Sequence, residues 1–96
     1  MQDSVISIEG CEIDLSCINA ITMISTMRTG ASICVQYGVI INGVRLDIQR
    51  SGICPDGENT DRFEQNLYNL TKKARSDLCG AWWTWREAQR KLKEEA

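Results

Sequence analysis

Five cysteines, at positions 11, 17, 34, 54 and 79, and no histidine make up the soft ligands and nucleophiles of this 96-residue chain. No two cysteines stand in a Cys-x-x-Cys pair, so the spacing offers no tetrahedral metal site, and no metal or cofactor is expected. An odd count reads as reduced thiols. Cys17, Cys34 and Cys79 lie among apolar neighbours, as small core residues do. Cys54 is the exception, because it sits in the loop Ser51-Gly52-Ile53-Cys54-Pro55-Asp56-Gly57, where a thiol can be exposed and act as a nucleophile. Against a thiol-dependent enzyme or redox protein, there is no histidine to activate Cys54 and no local cation to lower its pKa.

The carboxylates offer little more. Asp56 and Glu58 share that loop but fall short of the ligand count of a calcium loop, and Pro55-Asp56-Gly57 is a turn signal in its own right. Asn69-Leu70-Thr71 spells a glycosylation triplet, but within an expected helix of a cytoplasmic chain it has no use. Without a carboxylate pair at catalytic spacing, a Gly-rich phosphate loop or a nucleophile motif, we expect a protein that is not an enzyme.

The chemistry that remains is aromatic and cationic. Trp82-Trp83-Thr84-Trp85 is the densest cluster of rings in the chain. Trp82 and Trp85 are three residues apart beside Leu78 and Leu92, and read as helix-packing residues, with Trp82 at the margin of the candidate surface. Trp83 falls on the face of Arg86, Glu87 and Arg90, where it could stack under an arginine or serve as a binding hot spot. Trp83, Arg86, Arg90 and Trp82 are therefore the candidate partner-binding residues. The net charge is −2, with three cations against seven carboxylates in residues 1–60 (net −4) and eight against six in residues 61–96 (net +2). Between Lys72 and Lys93 seven cations face two carboxylates, which on a helix is more often a solvated face than a nucleic-acid stripe.

The elements that must carry these residues divide the chain in two. All eleven isoleucines and all four valines lie in residues 5–53, and the last 43 residues have neither. Loss of β-branched residues in favour of Glu, Gln, Lys, Arg, Leu and Ala marks a sheet-forming half, 1–53, followed by a helical half, 60–96, in a single domain. Ile33, Val35, Tyr37, Val39 and Ile41 alternate with more polar residues up to Asn42-Gly43, and Val44, Leu46 and Ile48 alternate after it. A two-residue type I′ turn there pairs Ile41 with Val44, Val39 with Leu46 and Tyr37 with Ile48, all apolar on one face, while Ile40–Arg45, Gly38–Asp47 and Gln36–Gln49 pair on the other.

Upstream, Val5 to Ile13 reads as a strand with Ile6 and Ile8 inward. The parity change at Gly10-Cys11 fits a β-bulge or, alternatively, a tight turn. Asp14 or Ser16 then caps a short helix to about Met27, ended by Gly30. After the loop, Asn59 or Thr60 caps a helix whose apolar residues Phe63, Leu67, Leu70, Ala74, Leu78, Ala81, Trp85, Ala88 and Leu92 recur every three or four positions. Unbroken, it is about 52 Å long, twice what a chain of this size spans. Either it bends near Cys79-Gly80, or it runs straight and its far half packs on another chain.

These elements predict an α+β protein, a small antiparallel sheet covered by a long or broken C-terminal helix. The expected activity is non-enzymatic binding of a host protein or protein complex, or homodimer formation, through the C-terminal helix. Nucleic-acid binding by the basic, tryptophan-bearing helix is the alternative, and a Cys54-dependent enzyme the second alternative. The opposite hairpin face, with Gln36, Arg45, Asp47 and Gln49, is another docking surface, and an exposed hairpin edge could take a strand from a second subunit. Short apolar runs and an acidic start without a basic n-region predict a cytoplasmic protein that does not span a membrane. In size and general build the chain resembles small accessory inhibitors of phages and mobile elements, including anti-CRISPR proteins. That resemblance, of architecture and no motif, implies a host assembly as target and steric blockade as mechanism, and assigns no residue.

Overall fold

A computed structural model describes residues 4–8 and 10–95 of the chain. Met1-Gln2-Asp3, Glu9 within the expected first strand, and Ala96 lie outside the described residues. From the N-terminus the elements are β1 (Val5–Ile8), β2 (Cys11–Asp14), a 3-10 turn (Leu15–Cys17), β3 (Ile18–Ile21), β4 (Ser25–Thr29), β5 (Ser32–Ile41), β6 (Val44–Ile53) and α1 (Thr60–Glu95). The protein is α+β, with antiparallel sheets and one long C-terminal helix packed against them.

The β5–β6 hairpin forms in the expected register, Ile41 with Val44 and Tyr37 with Ile48, and extends to Ser32 with Ile53. Asn42 (φ 50°) and Gly43 (φ 81°) both take the positive φ that a type I′ turn requires. One face of β5 is the core: Ile33, Val35, Tyr37 and Val39 are fully buried. Upstream the structure departs from the expectation. Gly10 (φ 77°) closes a tight turn, the second of the two readings, in place of a bulge, and the single expected strand becomes two, β1 folding back on β2 with Ile6 opposite Ile13. The short helix expected to reach Met27 is only one 3-10 turn, capped by Asp14, after which the chain extends into β3 and β4. Ile18, Ile21, Thr22, Ile24 and Thr26 are β-branched, and an edge of β5 was waiting to be paired.

β6 occupies one edge of β5 along its whole length, so β3 and β4 share the other as one interrupted strand. One interruption is at Asn19, whose side-chain Oδ1 accepts from the Gly43 N–H at 2.8 Å. In the second, Thr22, Met23 and Ile24 face only Tyr37 and Gly38, a bulge of one residue. Thr22 keeps the ladder closed there. Its N–H donates to the Gly38 carbonyl (2.8 Å) and its Oγ1 accepts from the Gly38 N–H (2.6 Å). With the hydroxyl serving as acceptor, the Thr22 carbonyl is free to accept from Arg75 Nε of α1 at 2.8 Å, which ties helix to sheet.

Asn59 caps α1, its Oδ1 accepting from the Arg62 N–H at 3.1 Å. The helix starts over β6, where Phe63 lies against Gly52 so closely that a Cβ there would stand 3.0 Å from the ring. It crosses diagonally to Leu15 and Ile18, with Leu78 buried among Ile13, Tyr37, Val39 and Ile48. This diagonal explains two departures from the expected apolar stripe. Val44, at the corner of β6 that the helix leaves, is 69% exposed. The contact line also runs on the Thr71 side of the stripe, so Thr71 is buried, its hydroxyl donating to the Leu67 carbonyl, while Leu70 is half exposed.

The helix is continuous through Gly80. At about 1.5 Å per residue its 36 residues extend ~54 Å, and the molecule measures 61 × 22 × 20 Å with a radius of gyration of 16.4 Å, against the ~13 Å of a globule this size. Trp85 and Arg86 still line a cleft with the body, the helix is exposed from Arg90 on, and its final turns project past the Asn42-Gly43 end of the sheet with Leu92 58% exposed. Two stability measurements follow. Leu78→Ala should cost about 3 kcal/mol in urea denaturation and Leu92→Ala less than about 0.5 kcal/mol. A Cβ at Gly80 meets nothing within 4 Å, so Gly80→Ala should stabilise the protein by up to ~1 kcal/mol; destabilisation would indicate a break at that residue.

Candidate functional site

The structure separates the three tryptophans by a simple rotation of 100° per residue. Trp82 and Trp85 turn toward the body and pack at the margin of the core with Leu15 and Ile18. Trp83 faces away from the sheet and is 63% exposed. The arginine stack forms, but on a different ring from the one expected: the Arg86 Cζ lies 4.9 Å from the centroid of Trp82, and Trp83 has no guanidinium over it. The i, i+4 spacing decides this, since position 86 overlies position 82 along the helix.

Arg90 lies on the same outward face as Trp83. It donates to Glu87 (Nη2 to Oε2, 2.8 Å) and stands 3.9 Å from Glu94, so its charge is partly balanced within the helix. Lys73 is paired with Asp77 at 3.0 Å and Arg75 is committed to the Thr22 carbonyl. The basic content of α1 thus lies on its solvent face, interleaved with Asp77, Glu87 and Glu94 and partly engaged. Trp83, Arg86 and Arg90 come together as one surface: an exposed ring, a cation stacked on the neighbouring ring, and a second cation held by two carboxylates. Beside Trp83, Gly80 presents no side chain, leaving the flank of the indole open.

Two clefts adjoin this surface. One, of about 320 Å3, lies between Trp82, Trp85 and Arg86 and the segment Leu15, Ser16, Ile18 and Asn19. The other, of about 360 Å3, is lined by Trp85, Arg86, Gln89, Arg90 and Lys93. The Leu15 to Asn19 wall escapes a helical reading of this segment. Its signal is Asp14-Leu15-Ser16, an Asx turn in which the Asp14 carboxylate accepts from the Ser16 N–H (3.0 Å) and hydroxyl (2.6 Å). Those hydrogen bonds hold the Asp14 carboxyl below its ordinary range.

Cys54 does not have the exposure expected of a loop thiol. It is 5% exposed, with its Sγ directed at the carbonyls of Pro55 (3.6 Å) and Glu58 (3.7 Å), and its N–H donates to Ala31. It closes the loop that leads into α1. Cys17, Cys34 and Cys79, expected as core residues, are only half buried. Among the described residues no three Cys, Asp or Glu side chains gather as a metal site, and no helix is long and apolar enough to cross a membrane.

No protein-family model, curated protein or solved structure matches the chain.

Brief alkylation of the native protein followed by peptide mass mapping should label Cys11, Cys17, Cys34 and Cys79 ahead of Cys54, and denaturant should abolish the difference. The Asp14 interaction has a definite pH sign. A carboxyl with a lowered folded-state pKa stabilises at neutral pH and loses that contribution as pH falls through the folded value. The stability gap between wild type and Asp14→Ala should therefore narrow on acidification below the ordinary carboxylate range.

Proposed function

We propose that the protein is a non-enzymatic interaction module of the cytoplasm that docks on a host protein or protein complex through the outer face of its C-terminal helix. Trp83, Arg86 and Arg90 make the contact, with Trp82 at its margin. The observation that carries this reading is the 63% exposure of Trp83 on the face turned away from the sheet, next to a helix end that outruns the body. A large ring kept in water gains nothing for the fold, whereas buried against a partner it is the commonest kind of binding hot spot. Arg86 and Arg90 supply the cationic rim. By analogy with phage and mobile-element inhibitors of the anti-CRISPR kind, occupying a working surface of the host assembly is the mechanism we assign.

Two observations weigh against the alternatives. The helix cations are interleaved with carboxylates, and three are engaged by Asp77, by Glu87 and Glu94, and by the Thr22 carbonyl, which interrupts the continuous basic track that nucleic acid requires. A nucleophilic Cys54 would have to leave its buried position first.

The test is an affinity capture from nuclease-treated host lysate with wild type and Trp83→Ala as parallel baits. The wild type should retain a specific protein complex and the variant lose it, by about 2 kcal/mol or more in a purified binding assay, with unchanged circular dichroism. Equal capture by both baits removes Trp83 from the surface. Recovery only when nuclease is omitted replaces the protein partner with nucleic acid.

A further inference from the structure

The two edges of the main sheet are built differently. The β3/β4 edge is interrupted at Asn19 and again at Thr22 to Ile24, and Arg75 takes the Thr22 carbonyl. Bulges and occupied carbonyls are how natural sheets prevent an edge from pairing. The β6 edge has none of these. Its ten residues pair with β5 without a register shift, contain no proline, and among the described residues face no further strand.

The hydrogen-bonding groups on that edge follow from the turn. In a two-residue hairpin the flanking residues Ile41 and Val44 form a hydrogen-bonded pair, so Val44, Leu46, Ile48, Arg50 and Gly52 point their N–H and C=O groups at β5. Those of Arg45, Asp47, Gln49, Ser51 and Ile53 point outward, and all five residues are exposed. A charged side chain usually screens such an edge. Here Arg45 lies back over the sheet beside Asp47 at 2.7 Å, which uncovers the backbone of the edge, and both side chains stay half exposed, so either can swing to an opposite charge across it. The Arg45 guanidinium occupies the space over Gly38, where a Cβ would stand 2.8 Å from its Cζ.

We propose that the β6 edge is the interface with a second copy of this chain, the two β6 strands pairing antiparallel about Leu46 to join the two four-stranded sheets into one. Charge selects both occupant and register. Arg45 and Asp47 are two residues apart on one face, so an antiparallel copy centred on Leu46 sets Arg45 opposite the partner's Asp47 and Asp47 opposite the partner's Arg45. Four charges then alternate around a square. Centring on Arg45 or Asp47 instead opposes like charges, and centring on Ile48 sets Asp47 against the partner's Gln49, leaving the charges unmatched. The Leu46 centre also lays exposed Val44 beside the partner's Ile48 and half-buried Leu46 against its counterpart. An unrelated extended peptide would have no reason to carry the matching pair.

Sedimentation equilibrium up to millimolar concentration should give twice the 10.8 kDa of one chain. Asp47→Arg and Arg45→Asp should each weaken the dimer about tenfold or more, because like charges then meet twice, and an equimolar mixture of the two should recover it as a heterodimer. Asp47→Pro removes an outward N–H that this register pairs with the partner's Arg45 carbonyl, takes none from the β5 ladder, and should also dissociate the dimer, which keeps the test decisive where a charge variant fails to fold. Trp83→Ala should leave the dimer intact, which separates this interface from the docking face. A wild-type monomer at all concentrations, variants that dimerise like the wild type, or a mixture that stays monomeric would each overturn the proposal.

Discussion

The length mismatch between α1 and the sheet beneath it governs the rest of the molecule. Ten-residue strands extend about 33 Å, and the helix that must cover them about 54 Å. Leu78 is the one helix residue buried completely, and it sits where the diagonal of the helix crosses the middle of the sheet. On either side of that crossing coverage falls away: toward the N-terminus Phe63 lies over Gly52, and toward the C-terminus Ala81, Trp82 and Trp85 still pack against the body. The β1–β2 hairpin completes the core with Ile13, supported by Ile6 and Ile8, because a single helix is too narrow to cover three strands alone.

The helix end past Trp85 has no such support. Isolated helices of a few turns are marginal in water. This one is continued by the packed turns before it, by good helix formers such as Ala88, Gln89, Lys91 and Leu92, and by the Arg90 pairs with Glu87 and Glu94. Surface pairs of this kind contribute only a few tenths of a kcal/mol each. The end is therefore kept helical, yet its opening costs little compared with that of the core, whereas Trp83 stands on the turn that Trp82 and Trp85 hold against the body.

Legibility in the sequence followed the strength of local periodicity. The β5–β6 hairpin could be read to the exact residue pair, because period-two alternation on both arms and Asn42-Gly43 agree on one register. The segment from Asp14 to Thr29 could not. Its Ile and Thr spacing satisfies a helical and an extended reading alike, and only the unpaired edge of β5, a tertiary fact, decides between them. For the same reason Thr71 and Leu70 exchange expected places: the apolar stripe was plain, but the angle at which the helix meets the sheet is set by Gly52 and the Arg75–Thr22 bond, far apart in sequence. At the candidate surface, the outward direction of Trp83 followed from the helical period. The partner of Arg86 did not, since two rings compete for it, and neither did the burial of Cys54, which depends on the Ala31 carbonyl in another element.

The proposed docking face and the proposed β6 interface have a joint consequence. Antiparallel pairing of β6 edges with matched faces places the twofold axis perpendicular to the sheet, so both helices lie on the same side of it. Each helix runs from the base of its hairpin past the Asn42-Gly43 tip, and the axis reverses that direction, so the two Trp83-bearing ends point away from each other. Such a dimer, docking as proposed, would be bivalent. On a partner assembled from repeated subunits, the second contact forms at the effective concentration set by the first, and avidity can exceed either single affinity by about 10²–10⁴. In the proposed dimer a small helix face would then suffice for tight occupation, because the joined sheet would fix the spacing of the two ends.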